Sequence, residues 1–354
     1  MIDFAELKID ALLVSGLANI RYLTGFTGSN ALFLLTAHNR AARTASGVLF
    51  TDPRYTIQAS EECNCQVKTV RGPLVAAVAQ AIGRKRLKRI GFEKSRLVFD
   101  TYQTLKESLP LGASLRPLGA VVEKLRMVKT EQEIALIRRS VNTNSAAFAA
   151  TLGSFRTGAS ESELAAELEY QMCRQGAEKP SFETIVASGA RTALPHAQPT
   201  SRRFGNNELI LIDMGCFQDS YASDMTRMVF LGRPNNRIRA MYQAVLEAQL
   251  AGVDAVRDGA TASQVDQAAR RVLKGRGLEK EFVHSTGHGL GLEIHEPPRL
   301  GKREKTKLQA GMVVTIEPGV YIRGLGGVRI EDTVLVTQNG CDVLTPTTKE
   351  LKVL

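Results

Sequence analysis

Short apolar segments alternate with helical patterns along the first third of the chain. Apolar runs predict strands at residues 10–15, 31–35, 48–51, 66–70 and 89–92. Residues 73–82 and 102–109 instead carry apolar side chains at helical spacing. Because strands that alternate with helices build α/β layers, we predict an α/β domain over residues 1–122.

One order of elements occurs twice in the remaining residues, 123–354. Thr130 and Ser160 open capping boxes, with Glu133 and Glu163 three residues later. The first pass predicts helices at 130–152 and 160–176, an irregular segment at 181–200, and strands at 208–214 and 221–231. The second pass predicts helices at 236–256 and 262–274, an irregular segment at 281–300, and strands at 312–317 and 328–336. We therefore expect an α+β domain of two αα-ββ halves related by a pseudo-twofold axis.

Four acidic residues mark the two predicted hairpins of this domain. They are Asp213 and Asp224 on the first and Glu317 and Glu331 on the second, with His288 between the pairs in sequence. Each acid alone could be a turn residue or part of a salt bridge. Together they would bring four carboxylates and an imidazole to one place, where like charges repel and burial costs free energy. Divalent cations would remove that conflict, so the pattern predicts a metalloenzyme.

The types of side chain restrict the metal and the reaction. Carboxylates with one imidazole suit Mn²⁺ or Co²⁺, while Zn²⁺ and Fe²⁺ stay open. Five residues can hold two ions only if some carboxylates bridge them, and paired ions share a water or hydroxide that attacks at neutral pH. The sequence therefore predicts a dinuclear hydrolase, in which the cations also stabilise a developing oxyanion.

Histidines are concentrated beside the predicted acid sites. Four of the five lie between residues 196 and 295, which makes His196, His284 and His295 candidates for catalysis. The glycines around His288 favour an extended, kinked backbone in this segment. The fifth histidine, His38, falls in a predicted loop at residues 36–40, where we expect it to be exposed to solvent.

Composition excludes several classes of protein. The hydrophobic fraction of 44% and the charged fraction of 23% are those of a globular protein, and no apolar run is long enough to span a bilayer. The net charge of +10 is spread along the chain except at residues 84–89, which we interpret as a solvated helix end rather than a nucleic-acid site. The N-terminus lacks the order of a signal peptide, and five cysteines without a C-x-x-C pair indicate reduced thiols in the cytoplasm. We expect neither nucleic acid nor a membrane as a partner.

Several motifs occur in an order that resembles a family of metallopeptidases with the pita-bread fold. They are Leu194-Pro195-His196, Asp213-Met214-Gly215, Ser-Asp-Met-Thr-Arg at 223–227, His-Ser-Thr-Gly-His-Gly at 284–289, Ile294-His295-Glu296, Glu317-Pro318-Gly319 and Arg-Ile-Glu-Asp at 329–332. The resemblance is to the proline-specific members, aminopeptidase P and prolidase, and covers about residues 121–354. Residues 19–26 and 51–55 also resemble the extra N-terminal domain of those enzymes.

The resemblance implies a role for each motif residue. Two divalent cations, expected to be Mn²⁺ with Co²⁺ or Zn²⁺ as alternatives, would be held by Asp213, Asp224, His288, Glu317 and Glu331. Asp224 and Glu331 would bridge the ions, and Glu317 would also take a proton from the bridging water. His295 would contact the scissile carbonyl or shuttle a proton, and His196 would line the substrate pocket. His284 would contact the proline residue or its carbonyl, and Arg329 would orient the acids and the substrate.

The implied enzyme is a homodimer that cleaves the bond between an N-terminal residue and a following proline, in dipeptides or longer peptides. A methionine aminopeptidase shares the fold, but Arg329 before Glu331 and the large N-terminal domain resemble the proline-specific branch. A non-catalytic binding protein on the same scaffold would be expected to lose a metal ligand, and all five are present. The longest peptide accepted depends on how the cleft is closed beyond the proline.

Overall fold

The computed structural model describes residues 2–36 and 46–354, so the expectation for His38 lies outside the described residues. By its internal contacts the chain divides into two compact units, Met1–Arg126 and Met127–Leu354. No helix in the described part of the chain is both long and apolar enough to cross a membrane.

The first unit is built on one mixed sheet of six strands in the order β4-β3-β2-β1-β5-β6. The strands are β1 Ala11–Val14, β2 Ala31–Thr36, β3 Gly47–Thr51, β4 Gln66–Thr69, β5 Arg89–Glu93 and β6 Ser114–Leu118. The helices are α1 Leu17–Thr24, α2 Thr56–Glu62, α3 Leu74–Arg84, α4 Phe99–Ser108 and α5 Val121–Arg126. The sheet and its helices have the α/β character predicted from the sequence.

Both faces of this sheet are covered, which explains why its strands appear as apolar runs without alternation. Along β1, Ala11 and Leu13 belong to one core, whereas Leu12 and Val14 belong to the other. The basic segment at residues 84–89 begins at the last residue of α3, and its five basic side chains are exposed. This exposure agrees with a solvated helix end, and the expectation that the segment does not bind nucleic acid stays a prediction.

The second unit contains four long helices and fourteen strands within the described residues. The helices are α6 Glu131–Thr151, α7 Glu161–Arg174, α8 Asn236–Asp254 and α9 Ala262–Gly275. The strands of the first half are β7 Lys179–Pro180, β8 Ile185–Ser188, β9 Glu208–Met214, β10 Cys216–Gln218, β11 Tyr221–Ala222 and β12 Met225–Leu231. Those that follow are β13 Gly287–Gly289, β14 Glu296–Leu300, β15 Val313–Ile316, β16 Gly319–Ile322, β17 Gly326–Arg329, β18 Asp332–Val336, β19 Cys341–Val343 and β20 Lys352–Val353.

The two halves of this unit repeat one plan, as predicted. In the first, α6 and α7 pack on the β8-β9-β12 sheet; in the second, the β13-β15-β18 sheet takes the same place after α8 and α9. The capping boxes at Thr130 and Ser160 are both formed. A third capping box at Thr261, which the sequence analysis did not identify, opens α9 at the position that Ser160 has before α7.

The hairpins differ from the prediction in one respect that matters for the site. The strand predicted at 221–231 is interrupted at Ser223 and Asp224, and the strand predicted at 328–336 is interrupted at residues 330–331. Each hairpin therefore crosses from one sheet to another. At the first crossing, a Cβ on Gly215 would lie 2.1 Å from the carbonyl oxygen of Ser223, so the two chains can approach only with glycine there.

The segments predicted to be irregular, 181–200 and 281–300, contain strands. β8 lies in the first, and β13 and β14 lie in the second. All four residues of β8 are buried, so the segment lacks the polar alternation by which a half-exposed strand is recognised. The prediction of irregular structure was wrong for these parts.

Candidate metal centre

The strand interruptions bring the four predicted acids together. Asp213 is next to the end of β9, and its partner across the ladder is Thr226, two residues after Asp224. Glu317 directly follows β15, and Glu331 directly precedes β18. Each half thus places two carboxylates at the point where its hairpin changes sheets. All four side chains, with His288 of β13, line one pocket of about 780 Å³.

His288 directs one ring nitrogen at the acids. Its Nε2 lies 3.5 Å from Asp224 Oδ2 and 3.5 Å from Glu317 Oε1. Its Nδ1 lies 3.0 Å from the carbonyl oxygen of Gly289, which can only accept, so Nδ1 carries the proton. Burial lowers the pKa of His288 to about 4, which keeps the ring neutral. The free lone pair is therefore on Nε2, the form in which histidine binds a metal.

If all four acids were ionised, their negative charge would exceed what the neighbouring residues compensate. Burial, followed by repulsion between the carboxylates, raises the pKa of Asp224 and of Glu331 well above the usual values. Burial likewise raises the pKa of Glu317 to about 8. Within the described residues, Asp213 Oδ1 and Glu331 Oε1 are buried without a hydrogen-bond partner.

Ligand atoms of Asp224, His288 and Glu331 lie within 4.8 Å of one another. Two orphaned carboxylate oxygens and an aimed imidazole lone pair are what divalent cations would satisfy. The residues present therefore fit divalent metal binding, as the sequence predicts.

Arg329 holds several groups of the pocket in place. Its Nη2 donates to Asp213 Oδ2 at 2.5 Å, and its Nε donates to Thr226 Oγ1 at 3.1 Å. Thr226 Oγ1 in turn donates to Glu331 Oε2 at 2.7 Å. Nη1 of Arg329 donates to the Tyr321 hydroxyl at 2.7 Å. Arg329 thus connects one acid of each half, and the orienting role expected for it stays a prediction.

A second buried arginine supports the acids from behind. Arg227 donates from Nη1 to the carbonyl oxygens of Thr226 and Glu331, and from Nη2 to Asp332 Oδ1 at 2.7 Å. Lys349 donates to the other oxygen of Asp332. Arg227 therefore bonds the backbone of both Thr226 and Glu331. These bonds fix the position of Glu331 relative to Thr226, its hydrogen-bond partner.

The three candidate catalytic histidines line the same pocket in different states. The His295 ring packs against the ring of His288 with centroids 4.4 Å apart, and His196 is exposed at the mouth. His284 has both ring nitrogens engaged, Nδ1 with the carbonyl of Ser285 at 2.8 Å and Nε2 with the Tyr321 hydroxyl at 2.9 Å. Its expected contact with substrate would have to come from the ring carbons or follow release of the tyrosine.

Each histidine-bearing segment is anchored by an ion pair whose carboxylate is buried. Glu161 and Arg191 lie 3.2 Å apart under the loop that carries His196. Asp266 and Arg270 lie 2.7 Å apart on α9, and Arg270 also donates to the carbonyl oxygens of Phe282 and His284. Lys129 Nζ lies 3.3 Å from Oε2 of Glu296, the residue after His295.

Sequence reasoning missed four residues of this site. Tyr321, Thr226 and Lys129 act through hydrogen bonds or ion pairs with residues far away in sequence, so no local pattern identifies them. Arg299 lines the pocket, lies opposite His288 in the β13-β14 pair, and has no ion-pair partner in the described part of the chain. The signal available in the sequence was an arginine, Arg299, four residues after the candidate catalytic histidine His295.

Comparison with known proteins gives an independent line of evidence. Residues 135–338 match metallopeptidase family M24, and residues 3–128 match the creatinase/prolidase N-terminal domain. An Xaa-Pro dipeptidase from Pyrococcus horikoshii is 36% identical over 352 residues, which cover 99% of this chain and 97% of that protein.

Solved structures are similar over nearly the full length. An Xaa-Pro dipeptidase from Bacillus anthracis has a TM-score of 0.94 and 38% identity, covering 99% of this chain and 97% of its own. An X-Pro aminopeptidase from Thermotoga maritima has a TM-score of 0.90 and 34% identity, covering 99% and 100%. The predicted fold class, an α/β domain followed by a duplicated pita-bread domain, is confirmed by these likenesses.

Proposed function

The chain belongs to metallopeptidase family M24, and from that premise we propose that it hydrolyses the bond between an N-terminal residue and a following proline in Xaa-Pro dipeptides. The observation that carries the proposal is the convergence of His288 and four largely buried acids from both halves of the fold on one pocket. The names of the similar proteins support the bond type, since they are described as Xaa-Pro dipeptidases and an X-Pro aminopeptidase.

We assign two divalent cations to the five residues Asp213, Asp224, His288, Glu317 and Glu331. The orphaned oxygens and the unprotonated Nε2 of His288 support that assignment. Mn²⁺ is the proposed ion because oxygen ligands dominate the set, with Co²⁺ and Zn²⁺ as alternatives. When bound, such ions would polarise the scissile carbonyl. They would also lower the pKa of bound water, so that hydroxide is available to attack the carbonyl near neutral pH.

The chain's own residues would move the protons. Glu317 is the proposed base, and Thr315 Oγ1 donates to its Oε1 at 3.3 Å, which limits the rotation of the carboxylate. His295 has a pKa lowered by burial, so its neutral ring can donate an N–H to the scissile carbonyl or pass a proton to the leaving nitrogen of proline. His196 lines the pocket at its mouth, where it would contact substrate.

Arg299 favours substrates that end at the proline. An Xaa-Pro amide has no N–H, so the enzyme must recognise the ring and its surroundings instead. In a dipeptide the carboxylate follows the proline directly, and an unpaired guanidinium at the pocket wall matches it in charge and geometry. Similarity alone leaves both dipeptides and longer peptides open, since one similar structure is described as an aminopeptidase.

A peptide panel tests the proposal. The metal-stripped protein, reloaded separately with Mn²⁺, Co²⁺ or Zn²⁺, is assayed on Ala-Pro, Ala-Pro-Leu and the control Ala-Ala. We expect hydrolysis of Ala-Pro after reloading, slower hydrolysis of Ala-Pro-Leu, and none of Ala-Ala. Equal rates on Ala-Pro and Ala-Ala would rule out proline specificity, and full activity of the stripped protein in chelator would rule out the metal.

We also propose that the enzyme is a homodimer working in the cytoplasm. The family resemblance supports the dimer, and the cysteines support a reducing compartment, since all five are free thiols. Light scattering on the purified protein should then give twice the chain mass of 38.5 kDa. A mass of one chain would contradict the proposed dimer without affecting the proposed reaction.

A further inference from the structure

A second cavity of about 830 Å³ lies beside the catalytic pocket. The two share His284, Ser285, Arg299 and Glu304 as walls. Its remaining walls come from Arg270 of α9, from residues 279–283 of the α9-to-β13 connection, and from residues 301–303 after β14. A peptide bound over the acids could therefore continue into this space without leaving the second unit.

The walls of the second cavity are strongly basic. Five cationic residues face two acidic ones, Glu279 and Glu304. Arg270 is committed to the fold, since its guanidinium bonds Asp266 and two backbone carbonyls. The four cations left without an ion-pair partner in the described part of the chain are Lys280, Arg299, Lys302 and Arg303.

Charge along the two cavities favours one direction of binding. The proposed cations compensate the four acids of the catalytic pocket, whereas the second cavity keeps an excess of positive charge. A peptide ends in a carboxylate, so its favourable orientation puts the carboxyl end toward the basic walls. Each further residue adds about 3.5 Å of extended chain, so the residue after the proline would extend toward the basic walls.

We propose that the second cavity binds an acidic residue that follows the proline, so that Xaa-Pro-Glu and Xaa-Pro-Asp tripeptides are substrates. Such a residue carries two carboxylates, one on its side chain and one at the chain end, which meet Arg299 together with Lys280, Lys302 and Arg303. The inference rests on the proposed function and names a substrate class for it. Ala-Pro-Gln has the same shape and the same terminal carboxylate, so the two peptides differ only in the side-chain charge. One partly screened charge contact predicts a kcat/KM up to about fivefold higher for Ala-Pro-Glu than for Ala-Pro-Gln.

The experiment compares Ala-Pro, Ala-Pro-Glu and Ala-Pro-Gln on the Mn²⁺-loaded protein and on the double variant Lys302→Gln/Arg303→Gln. We expect the glutamate preference to fall to less than twofold in the variant, while the rate on Ala-Pro is unchanged. Raising the salt concentration should reduce the preference of the unaltered protein in the same way. The matched control is Arg237→Gln, an exposed cation on α8 away from both cavities, which should keep the preference.

The outcomes separate the two proposals. Equal kcat/KM on the glutamate and glutamine peptides, or a preference that survives the double variant, overturns the basic subsite while Ala-Pro hydrolysis stands. Failure to cleave either tripeptide while Ala-Pro is cleaved also overturns it. If the unaltered Mn²⁺-loaded protein does not hydrolyse Ala-Pro, the proposed function is overturned, and the subsite with it.

Discussion

Replacing Lys129 with methionine would leave the carboxylate of Glu296 inside the protein without its ammonium partner. Both side chains are 2% exposed, and the ion pair measures 3.3 Å. Methionine has a similar length and no charge, so the change removes the charge with little loss of volume. Glu296 Oε1 also accepts the backbone N–H of Glu293 at 3.0 Å, which keeps the carboxylate turned inward.

The burial of the Lys129–Glu296 pair decides how much free energy of unfolding the variant should lose. Breaking a buried pair by removing one partner costs about 3–5 kcal/mol, because the remaining charge cannot reach water. For a unit of this size each kcal/mol corresponds to about 2–4 °C in Tm, so the midpoint should fall by roughly 6–20 °C. Because Glu296 follows His295 directly, we expect kcat to fall as well, with little change in metal content.

Urea denaturation followed by circular dichroism measures the cost. The matched control is Arg139→Met, which breaks the pair between Arg139 and Asp219. That pair is shorter, at 2.7 Å, but its side chains are 59% and 43% exposed. Exposed pairs contribute about 0–1 kcal/mol, so the control should have little effect. Distance alone would predict the opposite order.

The double variant Lys129→Met/Glu296→Gln completes the test. It removes both charges, so it should recover part of the stability lost in the single variant. The reasoning fails if Lys129→Met costs no more than Arg139→Met. It also fails if the double variant is no more stable than Lys129→Met.

Three further predictions concern the pocket. Glu331→Ala or Asp224→Ala should abolish hydrolysis and lower the bound metal measured by atomic emission, whereas His196→Ala should keep the metal and lose rate; metal loss in the last variant would contradict the division of roles. Without metal, the protein should lose stability as the pH rises from about 4.5 toward 8, because the unfolded chain releases the proton of Glu317 while the folded state retains it. A metal-free Tm that rises over this pH range would contradict the prediction, and so would a Glu317→Gln variant whose Tm falls equally steeply with pH. Tyr321→Phe removes one of the hydrogen-bond acceptors of Arg329 and should lower kcat more than metal affinity; an unchanged kcat would show that this hydrogen bond is dispensable.

Local signals predicted the helices well, because capping chemistry acts within one turn. Thr130 and Ser160 bond their own third residues, and both helices begin as predicted. The pocket acids were predictable for another reason, since their repeated order implied a shared location. The α/β and duplicated character followed from the order of elements.

Other features depend on neighbours that a sequence does not display. The crossing of the hairpins at Asp224 and Glu331 follows from packing between sheets, which no local pattern of the sequence shows. β8 is buried along all four residues, so it has no alternation to detect. The roles of Thr226 and Arg227 follow from partners that lie about a hundred residues away.

The proposed metal ligands are divided between the two halves, which would give the proposed cations a mechanical role. Asp213 and Asp224 belong to the hairpin of the first half, and His288, Glu317 and Glu331 to the second, so neither half alone could hold the full set. A cation that binds only the assembled site adds about 2.7 kcal/mol when its concentration is a hundred times its Kd. That free energy opposes separation of the halves. In a chain cut between β12 and α8, the ions would act as a reversible crosslink that chelator removes.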